Sequence, residues 1–317
     1  MPLFPEDVAA WSVGRLEGLV REARTLPPRS FEEHLLADPR QGARRLGERV
    51  AGLRRDRRRE NARWRRFTQL ERDWSKRVEG PVAGVDEAGM GPLAGPIVAA
   101  AAMLPPELRL LPLDDSKKLK PEEREELAGQ LREKSDWAIG LAEVDEIAML
   151  NPHHAGLLAM RRAVEGLSRE PAALLVDART VPEVAMPQEG LIKGDAKCAC
   201  IAAASVLAKV HRDGLMEELG RRHPGYGFEK HRGYGTAEHL EALARLGPSP
   251  IHRVGYLPVA EAGGGTSALR ELRAALSAAK DLGALEKVAG TDNAHKILRL
   301  AIHGNPRFEA TLCNRIK

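Results

Sequence analysis

Apolar positions recur at helical spacing near the start of the chain. Val8, Trp11, Leu16 and Val20 follow that rhythm, and Ser30 with Glu33 forms a capping box for a second helix. Asp38 and Pro39 fit the N-cap and first residue of a third helix, which is expected to run on through Arg54, Arg55, Arg57, Arg58, Arg59, Arg63, Arg65 and Arg66. From about residue 80 the pattern becomes α/β. Val82 to Val85 reads as a strand, Ile97 to Leu104 as a returning strand, and Pro121 to Lys134 as a helix begun by proline and acids. A strand over Trp137 to Val144, a helix over Leu150 to Leu167, a strand over Leu174 to Asp177 and a strand end at Leu191 to Asp195 follow. The segment Ala196 to Leu219 carries Ala199, Ala202, Ala203, Ala204, Ser205 and Ala208, small enough for a helix to lie close against a sheet. The simplest architecture is a mixed sheet with helices on both faces.

Beyond about Ala260 the pattern changes again. Gly263 to Thr266 resembles a linker, and further helices are expected over Ser267 to Leu285 and around Ala294 to Ile302. The expected division is therefore a basic helical extension over residues 1–79, an α/β domain over 80–260, and a linker with a helical or partly disordered tail over 261–317.

Three strand-like runs end in carboxylates: Asp86 with Glu87, Asp177, and Asp195. Acids gathered at one sheet edge repel one another, and such a cluster is stable mainly when divalent cations share it. Oxygen ligands favour Mg²⁺ or Mn²⁺ over zinc. Neighbouring strand residues point to opposite faces, so Asp86 and Glu87 share a pocket only if the strand ends or bulges beside them. Gly89 and Gly91 are the expected source of that freedom.

The formal charge of +4 and a pI near 9.0 are compatible with a polyanionic partner. The arginine run is ordinarily a solvated helix face; the functional alternative is a phosphate-contacting arm, with Trp64 and Trp74 stacking on bases or packing on a neighbouring domain. Three cysteines give no disulfide framework. Zinc at Cys198 and Cys200 is not expected, because no further ligands accompany them in the sequence. His153, His154 and His252 read as loop or packing residues. No leader-like start and no bilayer-length apolar stretch is visible, so a cytoplasmic protein without membrane attachment is expected, as a monomer.

Eight segments carry a more specific signal: Gly84 to Gly89, Gly91 to Pro96, Asp115 to Leu119, Leu175 to Ala178, Lys193 to Lys197, Ala208 to Val210, Arg212 with Asp213, and Gly233 to Thr236. In this order they resemble the bacterial ribonuclease HII family over about residues 80 to 260. The resemblance implies a ribonuclease H-like fold, with a C-terminal helical part between roughly Arg212 and Pro258 helping to form the substrate groove. It also implies that Asp86, Glu87, Asp177 and Asp195 are the catalytic acids holding two divalent cations. The implied reaction is hydrolysis of the RNA strand of RNA/DNA hybrids and incision 5′ of ribonucleotides embedded in duplex DNA. That reaction leaves 3′-hydroxyl and 5′-phosphate ends and belongs to ribonucleotide excision repair.

The resemblance further implies that the turn Gly89-Met90-Gly91 contacts the 2′-hydroxyl and neighbouring phosphate, and that Tyr234 packs on the adjacent deoxyribose. Lys117, Lys118, Lys193 and Lys197 are candidate phosphate contacts, Lys117 and Lys193 foremost. Asp213, deep in a helix, is expected to be structural, paired with Lys209. The family turn is normally Gly-Arg-Gly, and Met90 cannot supply the guanidinium. Two other readings stand beside this one. A ribonuclease HIII-like activity is disfavoured by Asp195 and by the helical N-terminal unit, and a binding protein without activity is disfavoured by the complete set of acids. Some ribonucleases HII, notably of Gram-positive bacteria, carry a similar helical extension.

Overall fold

The structure, a computed structural model, describes residues 4–263 apart from residues 6, 24, 111–112, 114–115 and 117–118. Lys117, Lys118 and the tail after Gly263 therefore lie outside the described residues. Contacts divide the chain into two units, Met1–Phe67 and Thr68–Lys317.

The first unit holds α1 (Val13–Glu22), α2 (Arg29–Ala37) and α3 (Gln41–Phe67). Val8, Leu16, Phe31, Leu35, Ala43, Leu46 and Val50 form its core. The expected cap at Ser30 does not form: Pro28, with φ −55°, starts the helix earlier and leaves Ser30 inside it. Asp38 likewise does not cap α3. Its carboxylate accepts from the Arg40 backbone N–H at 2.8 Å, and the Arg40 guanidinium reaches the carbonyls of Val8 and Trp11. This turn ties the entry of α3 to the chain before α1. Most arginines of the basic run stand exposed on α3, whereas Arg54 is drawn inward onto the Pro27 carbonyl.

The second unit is built on a five-stranded sheet of β1 (Val82–Ala88), β2 (Ile97–Met103), β3 (Asp136–Ala142), β4 (Ala173–Asp177) and β5 (Gln188–Leu191), in the order β3-β2-β1-β4-β5. The pairs β1–β2 and β2–β3 are antiparallel; β1–β4 and β4–β5 are parallel. The helices are α4 (Gln69–Val78), α5 (Pro121–Lys134), α6 (Val144–Glu165), α7 (Ala199–Arg222), α8 (Phe228–His231), α9 (Ala237–Leu246) and α10 (Leu257–Ala262). Strand β3 stops at Ala142 because Glu143 opens a capping box with Glu146. Helix α6 thus starts before Leu150 and kinks at Asn151, ahead of Pro152.

One face of the sheet packs Ala83, Val85, Ile97, Ala99, Ala101 and Met103 against Ala155, Ala159, Met160 and Ala163 of α6. The other face carries α7 and, at its β4 side, Leu70, Trp74 and Val78 of α4 over Val82, Ala173 and Leu175. Trp74 therefore packs on the sheet, with its ring N–H donating to Glu189 at 2.7 Å. The stripe of small residues lets α7 lie close to β1. A Cβ at Gly84 would fall 2.1 Å from the Cys200 carbonyl carbon, so only glycine fits there. Among the described residues, no helix is long and apolar enough to cross a membrane.

Candidate active site

Strand β1 carries Asp86 and Glu87 in unbroken antiparallel register, Asp86 opposite Ala100 and Glu87 opposite Ala99. There is no bulge between them. Both line one cavity of about 410 Å³, because β1 ends just after them at Ala88, the other expected alternative, and parallel pairing with β4 stops at Val85–Val176 and leaves the edge open beyond it. The cavity reaches around that edge. Asp86 points to the α7 face, where Ser205 hydrogen-bonds it, and Glu87 to the opposite face, where Arg179 Nη1 lies 3.3 Å from its carboxylate.

The register places Asp177 at the end of β4, directly beside Asp86. The Gly194 N–H fixes it by donating to Asp177 Oδ1 at 2.7 Å. Asp195 was expected at a strand end. It instead sits in a 3₁₀ turn, Gly194–Ala196, because β5 ends at Leu191 and Lys193 turns the chain with φ 58°. That turn brings the fourth acid into the cavity lining, and Asp195 is buried. All four sequence-predicted acids therefore meet at one place.

Burial raises the Asp86 carboxyl well above the usual carboxylate range, and the charges of Glu87 and Asp177 push it further the same way; the Ser205 hydrogen bond opposes them. Ser205 is itself bonded to Ser116 at 3.0 Å. A buried carboxylate strained by like charges, in a set of hard oxygen donors at an open cavity, suits a divalent cation of the Mg²⁺ or Mn²⁺ kind.

The turn after β1 is shaped by two buried arginines. Arg253 donates to the carbonyls of Gly89 at 2.7 Å, Met90 at 3.0 Å and Gly95 at 2.9 Å. Tyr256 adds a hydrogen bond to the Met90 carbonyl at 2.9 Å. Arg212 donates to Pro96, Ala94 and Arg232 carbonyls, and burial, with the neighbouring Arg253 charge, lowers its pKa to about 10. Gly89 has φ 93°, and a Cβ there would lie 2.0 Å from Arg212 Nε. Gly91 needs no such freedom, since a Cβ there makes only ordinary contact with Tyr234. Met90 packs toward α6, its sulfur 3.9 Å from Arg179 Nη1.

Tyr234 stands on the cavity rim, 45% exposed, with the Arg212 guanidinium 5.9 Å from its ring centre. Its loop rests on histidines: His239 Nδ1 lies 2.9 Å from the Tyr234 carbonyl, and the Gly233 N–H donates to His231 Nδ1 at 3.2 Å. His252 joins them through His239, with Nε2 atoms 3.1 Å apart. Lys193 is exposed on the loop before the 3₁₀ turn and is not among the residues lining the cavity.

Ser205, Lys209 and Arg212 also line the cavity. Their i, i+4, i+7 spacing was a legible signal of one helix face, but without the sheet nothing said which face met the acids. Lys209 binds Asp213 at 2.7 Å, so the expected pair exists at the cavity wall. Arg179 and Arg253 had no such signal.

A mixed sheet in this order, flanked by α6 and α7, is the ribonuclease H-like fold, and places the protein in that fold class. A solved ribonuclease H2 from Pyrococcus horikoshii shares it, with a TM-score of 0.51 at 28% identity over 58% of this chain and 97% of that one. The family model for ribonuclease HII matches residues 83–258. A ribonuclease HII of Myxococcus xanthus is 54% identical over 237 residues, covering 74% of this chain and 81% of that protein. One from an Anaeromyxobacter species is 49% identical over 261 residues, covering 81% and 82%. The chain belongs to the ribonuclease HII family and is a ribonuclease H hydrolase.

Proposed function

We propose that this protein is an endonuclease that hydrolyses the RNA strand of RNA/DNA hybrids and incises 5′ of single ribonucleotides in duplex DNA. The observation that carries the proposal is the meeting of Asp86, Glu87, Asp177 and Asp195 at one cavity whose rim is Tyr234 and the Gly89–Gly91 turn. These four acids would hold two divalent cations, Mg²⁺ or Mn²⁺. Bound there, the cations would activate a water and offset charge on the departing 3′-oxygen.

The chain's own residues do the rest. The arginine-braced turn holds backbone groups toward the ribose, where the 2′-hydroxyl distinguishes RNA from DNA. Tyr234 offers a flat face to the adjoining deoxyribose. Lys209, on the cavity wall, screens the phosphate charge. Lys193, exposed outside the cavity, would reach phosphates farther along the strand, and Lys117 is proposed as a phosphate contact on the resemblance alone. Products carry 3′-hydroxyl and 5′-phosphate ends. Cytoplasmic location and a monomeric state accompany this reading.

The test is cleavage of a DNA duplex with one ribonucleotide, beside an RNA/DNA hybrid, in Mg²⁺ and in Mn²⁺. Incision 5′ of the lone ribonucleotide is expected. Cleavage of the hybrid alone would remove junction recognition from the proposal. No cleavage of either substrate in either metal would overturn it.

A further inference from the structure

Also on the α7 face of the sheet, but among residues that do not line the cavity, α4 and the start of α7 gather ligand atoms of another kind. Cys198 and Cys200 are fully buried, with their sulfurs 3.4 Å apart. Glu71 of α4 lies against them, and the Cys200 N–H donates to Glu71 Oε2 at 3.2 Å. One ligand atom from each residue lies within 4.8 Å of the others. Glu71 precedes Cys200 by 129 residues, which is why the cysteines look unaccompanied in the sequence.

We propose that Glu71, Cys198 and Cys200 form a site for a thiophilic divalent cation, with Zn²⁺ as the fitting ion and water as its fourth ligand beside the half-buried Glu71. Tetrahedral zinc, with Zn–S of about 2.3 Å, needs sulfurs about 3.8 Å apart. The observed separation reaches that with a few tenths of an ångström of movement. Packing alone gives a weaker account: the half-buried Glu71 carboxyl is turned onto two fully buried thiols that cluster with Val82, Ala173, Leu175 and Ile201, a costly setting for its charge without a cation.

The ligand set also selects the ion. Two thiolates and a carboxylate carry three negative charges, so a divalent cation leaves one uncompensated and a monovalent one leaves two in an apolar setting. Sulfur excludes Mg²⁺, just as the all-oxygen cavity disfavours zinc, so the two sites sort metals by softness. Binding sends the two thiol protons to solvent and changes no oxidation state. Because α7 begins shortly after Asp195, the ion would tie α4 to the root of the loop that carries a catalytic acid.

The experiment uses the full-length chain, reduced and stripped with a chelator, titrated with Co²⁺ and then Zn²⁺. One equivalent of Co²⁺ is expected to produce a thiolate-to-cobalt charge-transfer band, bleached by one equivalent of Zn²⁺. The band should persist in Cys313→Ser, which removes the remaining thiol, and in Asp86→Asn, which disables the other site. It should vanish in Cys198→Ser, and Glu71→Gln should weaken binding by about tenfold or more. X-ray absorption of the wild-type protein with one equivalent of zinc, which needs no variant to fold, should find two sulfur neighbours. No band, a band indifferent to Cys198→Ser, or a zinc shell without sulfur would overturn the proposal. Recovery of Cys198 and Cys200 as a disulfide that, once reduced, binds no metal would overturn it too.

Discussion

Arg253→Met removes a buried guanidinium while nearly keeping the volume of the side chain. Arg253 is 1% exposed and donates to three carbonyls of the segment Gly89 to Gly95. Methionine cannot replace those donors. Met90 keeps the Tyr256 hydroxyl, so the loss falls on the Gly89 and Gly95 carbonyls. Depriving two buried acceptors of a charged donor costs about 1–3 kcal/mol each, or about 2–6 kcal/mol together. Part of this is returned because a guanidinium no longer has to be desolvated. Burial lowers the Arg253 pKa, which is the same cost seen in the folded protein. The expected net loss is about 2–4 kcal/mol. Urea unfolding followed by circular dichroism measures it. The turn also loses its brace next to Asp86 and Glu87, so kcat on a single-ribonucleotide duplex should fall by about a hundredfold, as for a displacement of about 1 Å. A stability change below about 0.5 kcal/mol with kcat within about twofold of wild type would refute the reasoning, since surface-like substitutions behave that way.

Three further perturbations bear on the site and its surroundings. In chelator, Asp86→Asn should unfold at a higher temperature than wild type near neutral pH, and with Mg²⁺ or Mn²⁺ supplied it should abolish cleavage. The Asp86 pKa is raised in the fold, so its cost is absent below the unfolded value and grows as pH rises toward the folded one; the variant's advantage must therefore shrink on acidification. His252 is held neutral, its pKa lowered from 6.5 to about 4 by burial first and by His239 next, so the fold loses stability as pH falls through that window. The loss should be about 2 kcal/mol by about pH 5, and His252→Gln should flatten the slope of urea midpoint against pH; an unchanged slope would mean that the histidine is not the titrating group. Met90→Arg should lower the Michaelis constant or sharpen selectivity for the RNA-to-DNA junction, and steady-state kinetics showing neither would remove any role for the missing guanidinium.

Much of this protein is legible along the chain because strand, turn and helix signals are local. The apolar run into Asp86, the glycine turn after it and the small-residue stripe of α7 depend on spacing alone, and each lies where spacing puts it. The four acids stand out in the same way, each closing or following a short apolar run. Their surroundings do not. The sequence pattern called for the strand to end or bulge beside Asp86 and Glu87; it ends, at Ala88 just after them, with no bulge between. Asp195 looks like a strand end and lies in a 3₁₀ turn, since the left-handed Lys193 redirects the chain. Arg253 braces a turn 164 residues before it, and Glu71 meets Cys200, 129 residues after it. Such pairings are fixed by which sheet face each helix covers. Local periodicity specifies that a face is buried; only the assembled sheet decides what it is buried against.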